Sequence, residues 1–194
     1  MRHTIKNGVV TRRGFLARSA AAAATLALGR FAGAVAPTKA VPWNAAMELA
    51  VTFTTFASTG GRYQRPYVAV WIEDASGKPV RTVSLWMLNP PRGNRYLDEL
   101  RRWFTAASST PALTGTTTSP TRQPGTYTVV WDGRDDQGKA VPQGAYTVNV
   151  ESAREHGPYS LTSARVTLAA TPLKQSLADN AELKDVKVEY RKHA

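Results

Sequence analysis

Six apolar residues in succession, Tyr67-Val68-Ala69-Val70-Trp71-Ile72, fill both faces of a strand that ends at Glu73. A run this short, apolar at both parities and bounded by turn residues, reads as a central, fully buried strand. Asp74-Ala75-Ser76-Gly77-Lys78 follows as a hairpin loop with a glycine available for positive φ. Val80–Leu88 is the returning strand, and Met47–Phe56, alternating apolar and polar, is a strand that precedes both. Beyond the middle of the chain the same grammar recurs in Tyr127–Trp131, Ala145–Glu151, Leu161–Ala169 and Asp185–Arg191, separated by Gly- and Pro-bearing turns. Short strands at close spacing, with no helical crossovers between them, predict a mainly β chain: an antiparallel β-sandwich of immunoglobulin-like type.

One helix interrupts the strands. Over Arg95–Ala107 the residues Leu97, Leu100, Phe104 and Ala107 recur at helical spacing, with Tyr96 and Trp103 flanking the stripe and Arg101 and Arg102 outward. Asn94 is positioned to cap it. Ser108–Arg122 then holds nine Ser or Thr in fifteen residues and reads as a polar loop, long for a compact domain. Trp71, Trp86 and Trp103 read as core residues rather than a sugar-stacking platform.

The formal charge of +11, from 25 Lys and Arg against 14 Asp and Glu, invites a nucleic-acid reading, but its location argues otherwise. Residues 1–40 carry seven of the basic residues and no acid, so residues 41–194 hold 18 basic and 14 acidic residues, a net +4. The first forty residues read as an export signal. Arg12-Arg13-Gly14-Phe15-Leu16 closes a basic region, an Ala-rich apolar run follows from Ser19 to Gly29, and Ala32-Gly33-Ala34 or Thr38-Lys39-Ala40 suits a signal peptidase. Arg12 and Arg13 followed by Phe15 and Leu16 resemble a twin-arginine signal, which delivers folded cargo to the periplasm. The partners expected are the twin-arginine translocase and the signal peptidase. The domain division is then 1–40 for signal and cleavage region and 41–194 for a single β-sandwich domain, with no membrane span in the mature chain.

Chemistry-bearing groups are few. The chain has no Cys and three His, which excludes thiolate sites and leaves no multi-His cluster. No Gly-x-Ser-x-Gly elbow supports a nucleophilic triad, and the reading is non-catalytic. Asp132, Asp135 and Asp136 could hold calcium, but their spacing departs from an EF-hand, and a structural turn is the preferred account. His156, with Glu155 or Glu151 assisting, could ligate a metal; the alternative is a strand-end turn in which Arg154 pairs with Glu155.

Two resemblances follow from quoted segments. Tyr127–Val148, with Trp131-Asp132-Gly133, Gly138 and Gly144-Ala145-Tyr146, resembles the Ig-like module of the flagellar hook-capping protein. Residues from about 47 to 191 are similar to domain-of-unknown-function family 2271, predicted periplasmic proteins, through Arg65–Asp74, Val80–Trp86, the Trp-Asp-Gly segment and Glu151–Gly157. That resemblance implies a neighbourhood of PepSY-type membrane proteins and FAD:protein FMN transferases, hence a partner or accessory in an inner-membrane redox or iron-linked system. Thr114-Gly115-Thr116-Thr117 is similar to the motif such transferases modify, which makes Thr114, Gly115 and Thr117 candidate cofactor residues, with FMN esterified to Thr117 in an electron carrier. Pro111 and Thr116 depart from the motif. A small-ligand or metal-binding envelope module centred on Glu155 and His156 remains a further alternative.

Overall fold

The computed structural model describes residues 40–57, 64–88, 93–107 and 118–193. Among them are nine strands: β1 (Met47–Thr55), β2 (Tyr67–Asp74), β3 (Pro79–Met87), β4 (Thr118–Pro120), β5 (Gly125–Trp131), β6 (Gly144–Ala153), β7 (Tyr159–Leu168), β8 (Leu173–Ser176) and β9 (Lys184–Lys192). They form two sheets, ordered β5-β1-β9-β8 and β4-β3-β2-β6-β7, and every pairing is antiparallel except β3 with β4. This is the β-sandwich that the alternating segments predict. The sequence reading leaves out β4, buried in a Thr-rich stretch with no periodicity, and β8, only four residues long.

The larger core lies between the sheets. Leu49, Val51 and Phe53 of β1 and Val186, Val188 and Tyr190 of β9 meet Val68, Val70 and Ile72 of β2 and Val148 and Val150 of β6. The opposite parity of β2 explains its second apolar face. Tyr67, Ala69 and Trp71 point out of the sandwich into a smaller core closed by Leu85, Met87, Leu97, Leu100 and Trp103. The central strand is therefore buried twice, once by the facing sheet and once by the helical segment.

That segment corrects the helix expected over 95–107. Gly93–Glu99 is a 3-10 helix with a kink at Tyr96, and only Arg101–Ala107, α1, is α-helical. The buried residues are Leu97, Leu100, Trp103 and Ala106, while Phe104 is 44% exposed. The 3-10 turn stacks Leu97 under Leu100, three residues on, and α1 starts from that phase with Trp103 and Ala106 inward and Phe104 outward. The 3.6-residue stripe selects the wrong aromatic.

Candidate functional site

The two ends of the sandwich are built differently. At one end the Asp74–Lys78 turn and the Asp132–Gln143 segment lie beside Trp131 and Tyr146. Asp74 accepts hydrogen bonds from the Ser76 and Lys78 amides (2.9 and 3.0 Å) and from the Ser76 hydroxyl (2.6 Å). That hydroxyl bond chiefly holds its carboxyl below the ordinary range. Asp132 accepts from the Arg134 amide, and Asp135 from the amides of Gln137 and Lys139. Asp136 reaches β3, accepting from the Thr82 amide at 3.3 Å and facing Arg81 at 3.7 Å. Burial raises its pKa, and the Thr82 amide and Arg81 oppose that shift. Asp74, Asp132 and Asp135 thus serve the backbone of their own turns, as the structural reading of this segment expects, and Asp136 ties its turn to β3. A cleft of about 500 Å³ between the two turns is lined by Asp74, Lys78, Val80, Asp136 and Tyr146.

A residue that the sequence reading leaves without a role seals this end. Trp43 is buried between Trp131 (5.0 Å between ring centroids) and Tyr190 (5.4 Å). Its indole lies so close to Gly133, at φ +74°, that a Cβ there would overlap the ring. Gly133 is required both for its backbone angle and for this approach.

At the other end, His156 lies in the exposed turn after β6 with φ +54°, and Gly157 donates back to the Arg154 carbonyl. The expected Arg154–Glu155 pair is not formed. Arg154 is buried and bonds Glu182 at 2.7 Å, while its guanidinium also donates to the carbonyls of Gln64 and Phe56. Three separate connections are tied together by one side chain. Burial raises the Glu182 pKa, against the opposing pull of Arg154. Glu151 does not turn toward His156 either. Fully buried on β6, it accepts the amides of Arg102 (2.9 Å) and Trp103 (2.7 Å), so it caps the first turn of α1. Arg102 in turn reaches Glu73 at 2.7 Å, which also accepts the Trp71 indole N–H. Tyr67, close to Glu155, is raised to about 12, by burial first and then by that carboxylate. Among the described residues, no group of three or more His, Asp or Glu side chains converges as a metal site would.

The strongest candidate site at this end surrounds Trp86. Phe53, Trp86 and Tyr127 pack with centroids 5.3 and 4.8 Å apart, and the exposed Arg122 lays its guanidinium over Trp86 (4.9 Å) and Tyr127 (5.4 Å). Ser119 on β4 is the register partner of Trp86. The Trp86 indole N–H, the Ser119 hydroxyl and the Thr55 hydroxyl, all buried, have no hydrogen-bond partner among the described residues. Unpaired buried polar atoms are costly, and a cation on an aromatic face keeps its own N–H groups available. Trp86 and Phe53 are themselves fully buried, so what this end presents is the exposed Arg122 guanidinium beside the partly exposed Tyr127 ring, and only the tertiary fold assembles it. Thr114, Gly115 and Thr117, like Arg12, Arg13, Phe15 and Leu16, lie outside the described residues.

Among the described residues no helix is long and apolar enough to cross a membrane. A family model described as "Predicted periplasmic protein (DUF2271)" matches residues 48–185. No curated protein and no solved structure matches the chain.

Proposed function

The chain belongs to the DUF2271 family of predicted periplasmic proteins, and on that premise we propose that it is a non-catalytic β-sandwich that docks a partner through the end bearing Trp86 and Arg122. The carrying observation is the contrast in how the polar groups are employed. Asp74, Asp132, Asp135, Asp136, Glu151 and Glu182 all serve backbone or ion-pair contacts within the fold. Arg122 instead lies exposed over the rings of Trp86 and Tyr127. The nature of the partner, a PepSY-type protein in an inner-membrane redox or iron-linked system, comes from the family resemblance. The test is titration of the mature protein with the extracytoplasmic part of such a protein. Arg122→Glu should weaken binding at least tenfold without lowering the thermal midpoint by more than a few degrees. Equal binding by the variant would refute the assignment of this surface.

A second reading, covalent FMN on Thr117, is favoured by one observation. Thr117 directly precedes β4 in the chain, and Ser119 of β4 is the register partner of Trp86. Bound FMN would supply electron transfer, and the residues of this chain would supply ring faces and the Arg122 charge. Co-expression with an FMN transferase should add the mass of one FMN less a water, and Thr117→Ala should abolish the gain. An unchanged wild-type mass eliminates this reading and leaves the docking module.

Export is proposed to follow the twin-arginine route. Replacing Arg12 and Arg13 by Lys should leave full-length precursor in the cytoplasm.

A further inference from the structure

Three carboxylates meet at the cleft between the Asp74–Lys78 turn and the Asp132–Gln143 segment, and the fold engages only one oxygen of each. We infer that this cleft binds a small aliphatic diamine, its two ammonium groups taken by the free carboxylate oxygens and its methylene chain laid along the apolar wall. The site lies at the opposite end of the sandwich from the proposed docking surface and does not depend on it.

Asp74 receives the Ser76 amide, the Ser76 hydroxyl and the Lys78 amide all on Oδ1. Asp135 receives the Gln137 and Lys139 amides on Oδ1. Asp136 presents Oδ1 to the Thr82 amide at 3.3 Å and to Arg81 at 3.7 Å. Among the described residues, the Oδ2 atoms of all three have no hydrogen-bond or ion-pair partner. The Asp136 side chain is only 6% exposed, so bulk water supplies little of what the fold leaves out, and burial raises its pKa. A buried carboxylate with one oxygen unmet is costly, and a cation that donates hydrogen bonds relieves that cost. The Asp136 amide donates to the Val80 carbonyl at 3.1 Å, which fixes this turn against β3 and sets the carboxylates before any ligand arrives.

The lining decides the class of ligand. It carries three carboxylates against the single ammonium of Lys78, a net of two negative charges that a dication matches. Arg81 approaches Asp136 from β3, outside the lining and beyond hydrogen-bond reach, and offsets that charge only in part. A bare metal ion does not fit. Calcium takes about six to eight oxygens at roughly 2.3–2.6 Å, and among the described residues no three acidic or His side chains converge as metal ligands. The positive charge must therefore be spread over a molecule, and a cleft of about 500 Å³ lies within the ~300–1,000 Å³ of small-molecule sites. Pro79, Val80 and Pro142 give the wall its apolar stretches. The Tyr146 hydroxyl is committed to the Pro142 carbonyl at 2.6 Å, which leaves its ring as a further apolar face. Ammonium groups donate charge-assisted hydrogen bonds to the Oδ2 atoms, while the methylenes between them cover the wall.

The experiment is isothermal titration of the full chain with cadaverine at low ionic strength. Saturable binding of one cadaverine per chain is expected, weakened by added salt as screening requires. n-Pentylamine, with one ammonium on the same carbon chain, should bind roughly tenfold more weakly or worse. Asp136→Asn keeps an oxygen for the Thr82 amide but removes the charge, and should weaken cadaverine roughly tenfold or more. Lys78→Ala removes an exposed cation from the rim and keeps the amide that Asp74 accepts, so it should tighten binding about threefold. Asp132→Asn, outside the lining, should leave binding unchanged. The opposite signs keep the test independent of folding, because a misfolded Asp136→Asn does not produce a gain in Lys78→Ala. The inference is overturned if neither cadaverine nor putrescine binds saturably, if n-pentylamine binds as well as cadaverine, or if a normally melting Asp136→Asn binds like wild type. Stoichiometric calcium uptake that excludes cadaverine also overturns it and makes the cleft a metal site instead.

Discussion

The end of the sandwich that holds the Trp-Asp-Gly turn and the end that holds Arg154 solve the same problem, closing a two-sheet stack, by opposite means. At the first, closure is mostly local. Asp74, Asp132 and Asp135 each accept amides two to four residues ahead, and Trp131 donates its indole N–H to the Arg134 carbonyl three residues on. At the second, closure is long-range. Arg154 gathers Phe56, Gln64 and Glu182, and Glu151 reaches α1 nearly fifty positions away in the chain. The Trp86–Arg122 cluster lies at this second end. An end closed by few, distant contacts is the natural place for docking, as loops at one end of a sandwich commonly are.

The comparison breaks first at Trp131. Its ring is buried against Trp43 and Tyr146, and truncation to Ala should remove roughly 3–5 kcal/mol, enough to unfold a domain of ordinary stability. A thermal midpoint within a few degrees of wild type would show that the first end does not hold the sandwich together. The next largest effect is expected at the second end. Glu182→Gln leaves a buried guanidinium without its counter-charge and should cost about 3 kcal/mol, read from urea unfolding. Replacing Arg154 and Glu182 together by Met and Leu should recover most of that loss; a double variant as unstable as the single would mean that the carbonyl bonds, not the ion pair, close this end.

Arg122→Ala sharpens the comparison from the functional side. A cation that is itself exposed to solvent contributes only ~0.5–1 kcal/mol through an aromatic face, so stability should barely change while partner affinity falls. A large loss of stability would make Arg122 a structural seal instead. The smallest effect concerns acid. Asp74 is held below its ordinary pKa chiefly by the Ser76 hydroxyl, so its ionised form contributes stability that is present above the ordinary value and lost as pH falls through the depressed one. Burial raises Glu182, so the folded state holds its proton more tightly, and stability falls as pH rises from its ordinary value through the raised one. Asp74→Asn should therefore flatten the acid limb of a pH–stability curve, measured between about pH 2 and 5. An unchanged limb would show that the Asp74 turn is not closed by its charged form.

Much of the first end was legible in the chain itself. Strand alternation, a tryptophan before Asp-Gly, and Asp residues spaced for short turns are all features of neighbouring residues, and the structure places Trp131 and the turn where the spacing puts them. The second end was not legible, because its partners are remote. Nothing near Arg154 names Glu182, and Glu155, the adjacent acid, is the wrong partner. Glu151 reads as a polar residue of a strand until α1 is laid over it.

The amino-acid sequence by itself determined seven of the nine described strands, the sandwich and the basic charge of the first forty residues, since periodicity, turn residues and charge are properties of consecutive positions. The tertiary structure decided which face the helix buries, which acid neutralises Arg154, how Trp43 closes the core and where Arg122 comes to rest. Those outcomes depend on contacts between segments far apart in the chain, whose register is set by packing rather than by any local preference.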